Sequence, residues 1–269
     1  MDRRPIGVFD SGVGGLTVFK ALEAALPGEC FVYLGDTARV PYGTKSPETV
    51  SRYGIEAARF LKKQGVKLLV VACNTVSSVA MDEVAEEAHV PVIGVILPGA
   101  RRAAKLSTGG RIGVIGTRAT VASEAYPRAI LALRSEAEVF SRPCPLFVPL
   151  AEEGWTDNDV ARRVAETYLA SLKEAEVDTV VLGCTHYPLL RDVIEEQAHA
   201  LMGPAVKVVD SASAVAQEAH AFLNSRGLAK TDGKPGRLSL AVTDLPKSFS
   251  DVARRFLGED AREVEQVDL

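Results

Sequence analysis

The sequence predicts an α/β protein: two similar, doubly wound parallel-sheet lobes related by pseudo-twofold symmetry, with a functional cleft between them. Short apolar runs alternate with amphipathic stretches along the 269 residues, a pattern that calls for parallel strands covered by helices on both faces. Three strand–loop–helix junctions also recur in order about 110 residues later, and repetition at that scale marks a duplicated unit. IGVFDS at Ile6 resembles IGVIGT at Ile112, VVACNT at Val70 resembles LGCTH at Leu182, and VILPGA at Val95 resembles VVDSAS at Val208. A cysteine directly follows a strand in both halves, Cys73 and Cys184, in a chain with only four. The repeat divides the chain into residues 1–97 with 208–269, carrying Cys73, and residues 98–207, carrying Cys184.

The elements follow in order. Ile6 to Phe9 is a strand, and the Gly-rich DSGVGGLTV turns it into a helix, Leu16 to Leu26, that stops before Pro27-Gly28. A strand, glycine turn and helix N-terminus read as an anion cradle, because free N–H groups face the turn. CFVYLGD is a second strand, ending at Asp36. Pro41, Gly43 and Pro47 keep the next segment a loop, with Tyr42 and Lys45 on it. Pro47 to Gln64 shows an apolar stripe through Ile55, Ala58 and Leu61, and Gly65 ends that helix.

VKLLVVA leads through Cys73-Asn74-Thr75 into one helix, Val76 to Ala88. VPVIGVI is a strand running to Leu97-Pro98-Gly99, with a helix from Arg101 to Leu106. After the turn at Ser107 to Gly110, RIGVIGT is a strand ending at Thr117, and Thr120 to Leu133 a helix. Pro143, Pro145 and Pro149 make Arg142 to Glu153 extended or irregular. A helix from Asp157 to Glu174 precedes the strand DTVVLG, whose Gly183 lets the backbone turn sharply before Cys184. A helix to Leu201, the strand VKVVD and a helix through Phe222 follow. The tail holds a short strand, RLSLAVT, and a last helix from Lys247 to Leu257.

Composition narrows the function classes. An apolar share of 47% with 25% charged residues is ordinary for a soluble globular protein. A net charge of −4 gives no general attraction for nucleic acid or acidic membrane, so neither is an expected partner. The N-terminal MDRRPIGVFDSG has no apolar core of a signal peptide, and no run approaches the roughly 18 apolar residues of a membrane span. Cys30, Cys73, Cys144 and Cys184 form no CxxC pair, which argues against a zinc or thioredoxin-type site. No metal is expected, and a cytoplasmic location with reduced thiols is. Cys30 and Cys144 have no repeated context and read as structural.

Two similar lobes facing each other would present Cys73 and Cys184 from opposite sides of the cleft. Opposed thiols can remove a proton from one face of a carbon and return one to the other, which is inversion of a stereocentre. A helix N-terminus after each cysteine is expected to favour its thiolate, while Asp10 beside a thiolate would oppose that by repulsion. Three other readings fit less well. GVGG followed by Asp36 suggests dinucleotide binding, yet Thr17 stands where the fingerprint needs glycine and Asp10 would crowd a pyrophosphate. A cysteine hydrolase using Cys184 and His186 leaves Cys73 unexplained, and an amino-acid-binding protein needs neither thiol.

Together, DSGVGGLTV, DTARVPYG, VACNT, IGVIGT, CPLFVPLAEEG and LGCTHYPLL resemble the bacterial glutamate racemases from Ile6 to about Ala219, and VTDLPKSFSDVARRFLG resembles their C-terminal segment. Val76 stands where that family usually has alanine. The resemblance implies cofactor-independent interconversion of L- and D-glutamate, supplying D-glutamate for peptidoglycan. Aspartate, one methylene shorter, is the alternative substrate. It implies that Cys73 handles the α-proton of the D-enantiomer and Cys184 that of the L-enantiomer. Asp10 then supports Cys73, His186 supports Cys184, and Glu152 is a further acid. Ser11, Tyr42, Gly43, Asn74, Thr75 and Thr185 match substrate-binding positions, as do Asp10 and His186, with Thr117 and Thr120 as weaker matches. A homodimer is a further expectation, and control by a peptidoglycan precursor, which accompanies an N-terminal extension in some members, is not expected.

Overall fold

The computed structural model describes residues 2–247, 249–258 and 263–269. In chain order the strands of the first half are β1 (Ile6–Asp10), β2 (Phe31–Gly35), β3 (Leu68–Val71) and β4 (Val92–Gly94). Those of the second half are β5 (Arg111–Gly116), β6 (Glu138–Pro143), β7 (Thr179–Gly183) and β8 (Lys207–Asp210), and the tail adds β9 (Leu238–Val242) and β10 (Val264–Gln266). The helices of the first half are α1 (Leu16–Ala25), α2 (Pro47–Lys63), α3 (Asn74–Val79), α4 (Met81–Ala88) and α5 (Ile96–Leu106). Then come α6 (Arg118–Ala122), α7 (Ala125–Leu133), α8 (Phe147–Glu152), α9 (Asp159–Glu174), α10 (Arg191–Met202), α11 (Ala212–Ser225) and α12 (Phe249–Leu257).

Every strand pair is parallel. One sheet has the order β10-β9-β2-β1-β3-β4 and the other β6-β5-β7-β8. Setting β1 to β4 against β5 to β8 gives the same order, 2-1-3-4, in both lobes. The two sheets therefore repeat one topology, and the tail extends only the first. The central strands β1, β3 and β7 are buried along their whole length, which is why they read as unbroken apolar runs.

The strand β8 pairs with β7, so residue 208 lies inside the second sheet. The return to the first lobe comes after Asp210, where α11 leaves to pack on α1. We propose lobes divided there, with β9 and β10 belonging to the first.

Several boundaries differ from the sequence expectation for local reasons. The stretch Arg142 to Glu153 is not irregular: it ends β6 and contains α8. Pro143 is tolerated because β6 is an edge strand, where a missing N–H costs no ladder bond, and Pro149 falls in the first turn of α8. The strand before Leu97-Pro98-Gly99 stops at Gly94, and those three residues follow Ile96 in the first turn of α5. Its Pro98 is again in a first turn, and a Cβ at Gly99 would stand 3.2 Å from the Tyr126 ring.

The single helix expected over Val76 to Ala88 breaks at Ala80 into α3 and α4. The one expected over Thr120 to Leu133 breaks where Glu124 takes φ 54°. After Cys184 the chain makes a 3₁₀ turn, Tyr187–Leu190, before α10. The last helix begins at Phe249, and Ser248 of the expected span lies outside the described residues. No helix among the described residues is long and apolar enough to cross a membrane.

Candidate active site

The side chains singled out by the sequence converge because their strands end on the same side. Asp10 closes β1, Cys73 follows β3, Thr117 follows β5 and Cys184 follows β7. Ligands of open α/β sheets collect at these carboxyl ends, and here two such edges face each other. Between them lies a small cavity of about 50 Å³, partly open to solvent. Ser11, Tyr42, Gly43, Cys73, Asn74, Thr75, Thr117, Glu152, Cys184, Thr185 and His186 all line it. Two expected residues stand behind the wall instead. Asp10 is fully buried, and Thr120, 1% exposed, accepts a hydrogen bond from the Thr117 hydroxyl at 2.9 Å. Val40, Pro41 and Val148 complete the lining; as ordinary apolar residues they carry no sequence signal.

The glycine-rich turn is not an open anion cradle. Its N–H groups at Gly12 and Gly15 already hold the carboxyl of Asp10, the first at 3.1 Å. It also presses against the other lobe. A Cβ at Gly14 would come within 2.5 Å of both His186 Nδ1 and Thr185 Oγ1, and one at Gly15 within 2.4 Å of Asp10 Cβ. Real Cβ atoms are not found so close, so glycine is required for the lobes to meet. The Thr17 hydroxyl seals the joint by donating to the Thr185 carbonyl at 3.0 Å.

Cys73 caps the N-terminus of α3, and its Sγ lies 3.5 Å from Ser11 Oγ. The helix does not make it a ready thiolate. Burial, then repulsion from Asp10, push the thiol up to about 12, outweighing the N–H groups of Val76 and Ser11 that favour the anion. Asp10 is itself raised by burial, with the His186 charge, the loop N–H groups and Thr185 working against that.

Cys184 has different company. His186 Nδ1 is 3.8 Å from its sulfur, and His186 Nε2 is 3.1 Å from Glu152 Oε1. Burial alone would lower the imidazole, but hydrogen bonds with Cys184 and Glu152 prevail and raise it to about 10. The ring is therefore cationic at neutral pH. The tail braces it: Phe256 meets the His186 ring edge-on at 5.3 Å, and Arg255 donates to the Glu152 carbonyl.

Tyr42 lines the cavity, and its hydroxyl donates to the buried carboxylate of Asp36. Asp36 also accepts from Arg39 Nε at 2.6 Å and Thr243 Oγ1 at 2.8 Å. The residue that sequence suggested as a ribose acid thus anchors the loop that follows it. The loop reaches across the cleft, where a Cβ at Gly43 would stand 2.7 Å from that of Thr117. Thr75 and Thr117 span the same gap, with hydroxyls 3.1 Å apart. Cys30 and Cys144 are free thiols, as are the two cavity cysteines. Neither of them lines the cavity.

A sequence model of the family described as Asp/Glu/Hydantoin racemase matches residues 6–219. The chain belongs to that family. Among its Asp/Glu/Hydantoin racemase relatives, the glutamate racemase of Geobacter metallireducens is 54% identical over 269 residues, covering 100% of this chain and 98% of its own. The crystal structure of glutamate racemase from Francisella tularensis in complex with D-glutamate superimposes with a TM-score of 0.93 at 39% identity, covering 100% of this chain and 98% of that one. The Thermus thermophilus glutamate racemase, solved with β-chloro-D-alanine, gives 0.88 at 47% identity, covering 100% and 99%.

Proposed function

We propose that this racemase interconverts L- and D-glutamate without a cofactor by two-base proton transfer between Cys73 and Cys184. The observation that carries the reading is a pair of free cysteines, one per lobe, at equivalent strand ends of a duplicated fold, lining one cavity. In one direction a Cys184 thiolate takes the α-proton of L-glutamate while the Cys73 thiol delivers its proton to the opposite face. The products are D-glutamate, a Cys184 thiol and a Cys73 thiolate, and the reverse reaction restores the start. The His186 imidazolium is the charge partner for negative sulfur at Cys184. Glu152 holds that ring, and Asp10 keeps the proton on Cys73.

The α-hydrogen of an amino acid is barely acidic while the carboxylate is ionised. Donors aimed at that carboxylate therefore matter most as charge builds toward a carbanion-like state. Ser11, Asn74, Thr75 and Thr185 supply hydroxyls, an amide and helix-start N–H groups around the cavity, with Thr117 and Thr120 completing the threonine cluster. Tyr42 and Gly43 form the wall offered to the side-chain carboxylate. The same reading includes supply of D-glutamate for peptidoglycan in the cytoplasm by a homodimer.

The test is incubation of either enantiomer in D₂O with no added cofactor, following deuterium at the α-carbon and optical rotation. Glutamate is expected to exchange and racemise, and aspartate to do so at least about tenfold more slowly, since a methylene is worth roughly 1–3 kcal/mol in such a pocket. Faster turnover of aspartate would reassign the substrate.

A further inference from the structure

Tyr126 sits behind the cavity wall, 1% exposed, on α7 of the second lobe. Its hydroxyl crosses to the first lobe and donates to Asn74 Oδ1 at 2.8 Å. Asn74 is the first residue of α3 and lines the cavity. The Ser211 side chain hydrogen-bonds the same phenol. The ring is closely confined: a Cβ at Gly99 would lie 3.2 Å from its Cε1 and hydroxyl, and one at Gly183 3.2 Å from its Cε2.

A phenol has one proton to donate, whereas a primary amide has an acceptor on one arm and two donors on the other. With the phenol proton committed to Oδ1, the Nδ2 arm is the one left for the cavity. The flipped amide would set an acceptor oxygen against a carboxylate, acceptor to acceptor. We infer that Tyr126 is a positioning residue that locks the Asn74 amide with its nitrogen toward the substrate carboxylate. Because the bond joins the two lobes, the donor is aimed only when the lobes are closed on each other. The inference rests on the reading of Asn74 as a substrate-binding residue.

The experiment is a double-mutant cycle on the full chain with glutamate, measuring kcat, KM and Tm for Tyr126→Phe, Asn74→Ala and the double variant. Asn74→Ala is expected to lower kcat/KM about 100-fold and Tyr126→Phe about tenfold with a raised KM, as for lost hydrogen bonds to a charged group. The double variant should be no worse than Asn74→Ala alone, because the phenol acts through the amide. Ser211→Ala should give a smaller loss of the same kind and serves if Tyr126→Phe does not fold. Losses that multiply in the double variant would overturn the inference. So would a loss that vanishes once rates are normalised to the amount of folded protein, which reports lost folded enzyme. Wild-type kcat/KM in Asn74→Ala would instead remove the underlying reading of Asn74, an outcome visible separately from the behaviour of Tyr126.

Discussion

The two walls of the cleft share a topology and carry opposite electrostatics. At the end of β3, Cys73 has a hydroxyl at 3.5 Å and feels the buried carboxyl of Asp10, so its sulfur keeps a proton. At the equivalent end of β7, Cys184 faces an imidazolium held by Glu152, a partner for negative sulfur. Duplication supplied the geometry of two opposed thiols; divergence of their neighbours supplied the difference in charge. Two-base inversion needs both, since one sulfur must be bare while the other is protonated. L- and D-glutamate have equal free energies, so kcat/KM must be the same in both directions however unlike the walls are. The asymmetry can appear only in kcat and KM separately, and in the pH profile.

Removing either wall's base is the largest expected effect. Cys73→Ala and Cys184→Ala should each lower racemisation by about three orders of magnitude or more, the scale of losing a positioned acid or base. Steady-state polarimetry in both directions checks this, and full activity in either variant would end the two-base mechanism.

The charge at His186 is the next lever. Its value of about 10 stands above the ordinary 6.5, so its interactions with Cys184 and then Glu152 favour the fold fully below about pH 6.5. That contribution is lost as pH climbs through about 10. Activity is expected to fall over the same alkaline limb as the imidazolium loses its proton. Glu152→Gln should bring the limb to lower pH with about a tenfold loss or less at neutrality, and His186→Asn should remove it. A pH–rate profile together with Tm against pH reads both. An alkaline limb unmoved by either variant would detach His186 from Cys184.

The smallest effect has the opposite sign for stability. Asp10 is buried with its carboxyl raised, so ionising it at neutral pH costs stability. Asp10→Asn keeps the shape and can still accept from the Gly12 N–H. It is expected to raise Tm by a few degrees while lowering kcat, the usual conflict between a strained site and a stable one. A lowered Tm would show that the charge holds the glycine turn in place.

Much of the fold was legible because buried parallel strands announce themselves as apolar runs and glycines mark their ends. The repeat was visible at three of its four strands. The fourth, β6, was hidden because an edge strand needs neither an apolar run nor freedom from proline. Cys73 and Cys184 were legible as a pair only through that repeat. Phe256, Arg255 and Tyr126 left no such trace, because an arginine, a phenylalanine or a tyrosine on an amphipathic helix looks the same whether it braces a cavity-lining side chain or packs a core. Asp36 lay inside a recognisable motif, but its role as anchor of Tyr42 depends on Thr243 arriving from a tail strand about 200 residues on, a distance no local pattern spans.

By itself, then, the sequence determined the alternation of elements, the duplication and the two cysteines, each set by local periodicity and backbone freedom. The tertiary structure alone decided which side chains stand in charge contact. Asp10 filled the glycine turn that sequence offered to a ligand, and His186 gained its positive charge from partners 2 and 34 positions away. The reason is physical. Burial and Coulomb energy depend on distance through space, and only folding brings the two sheet edges together.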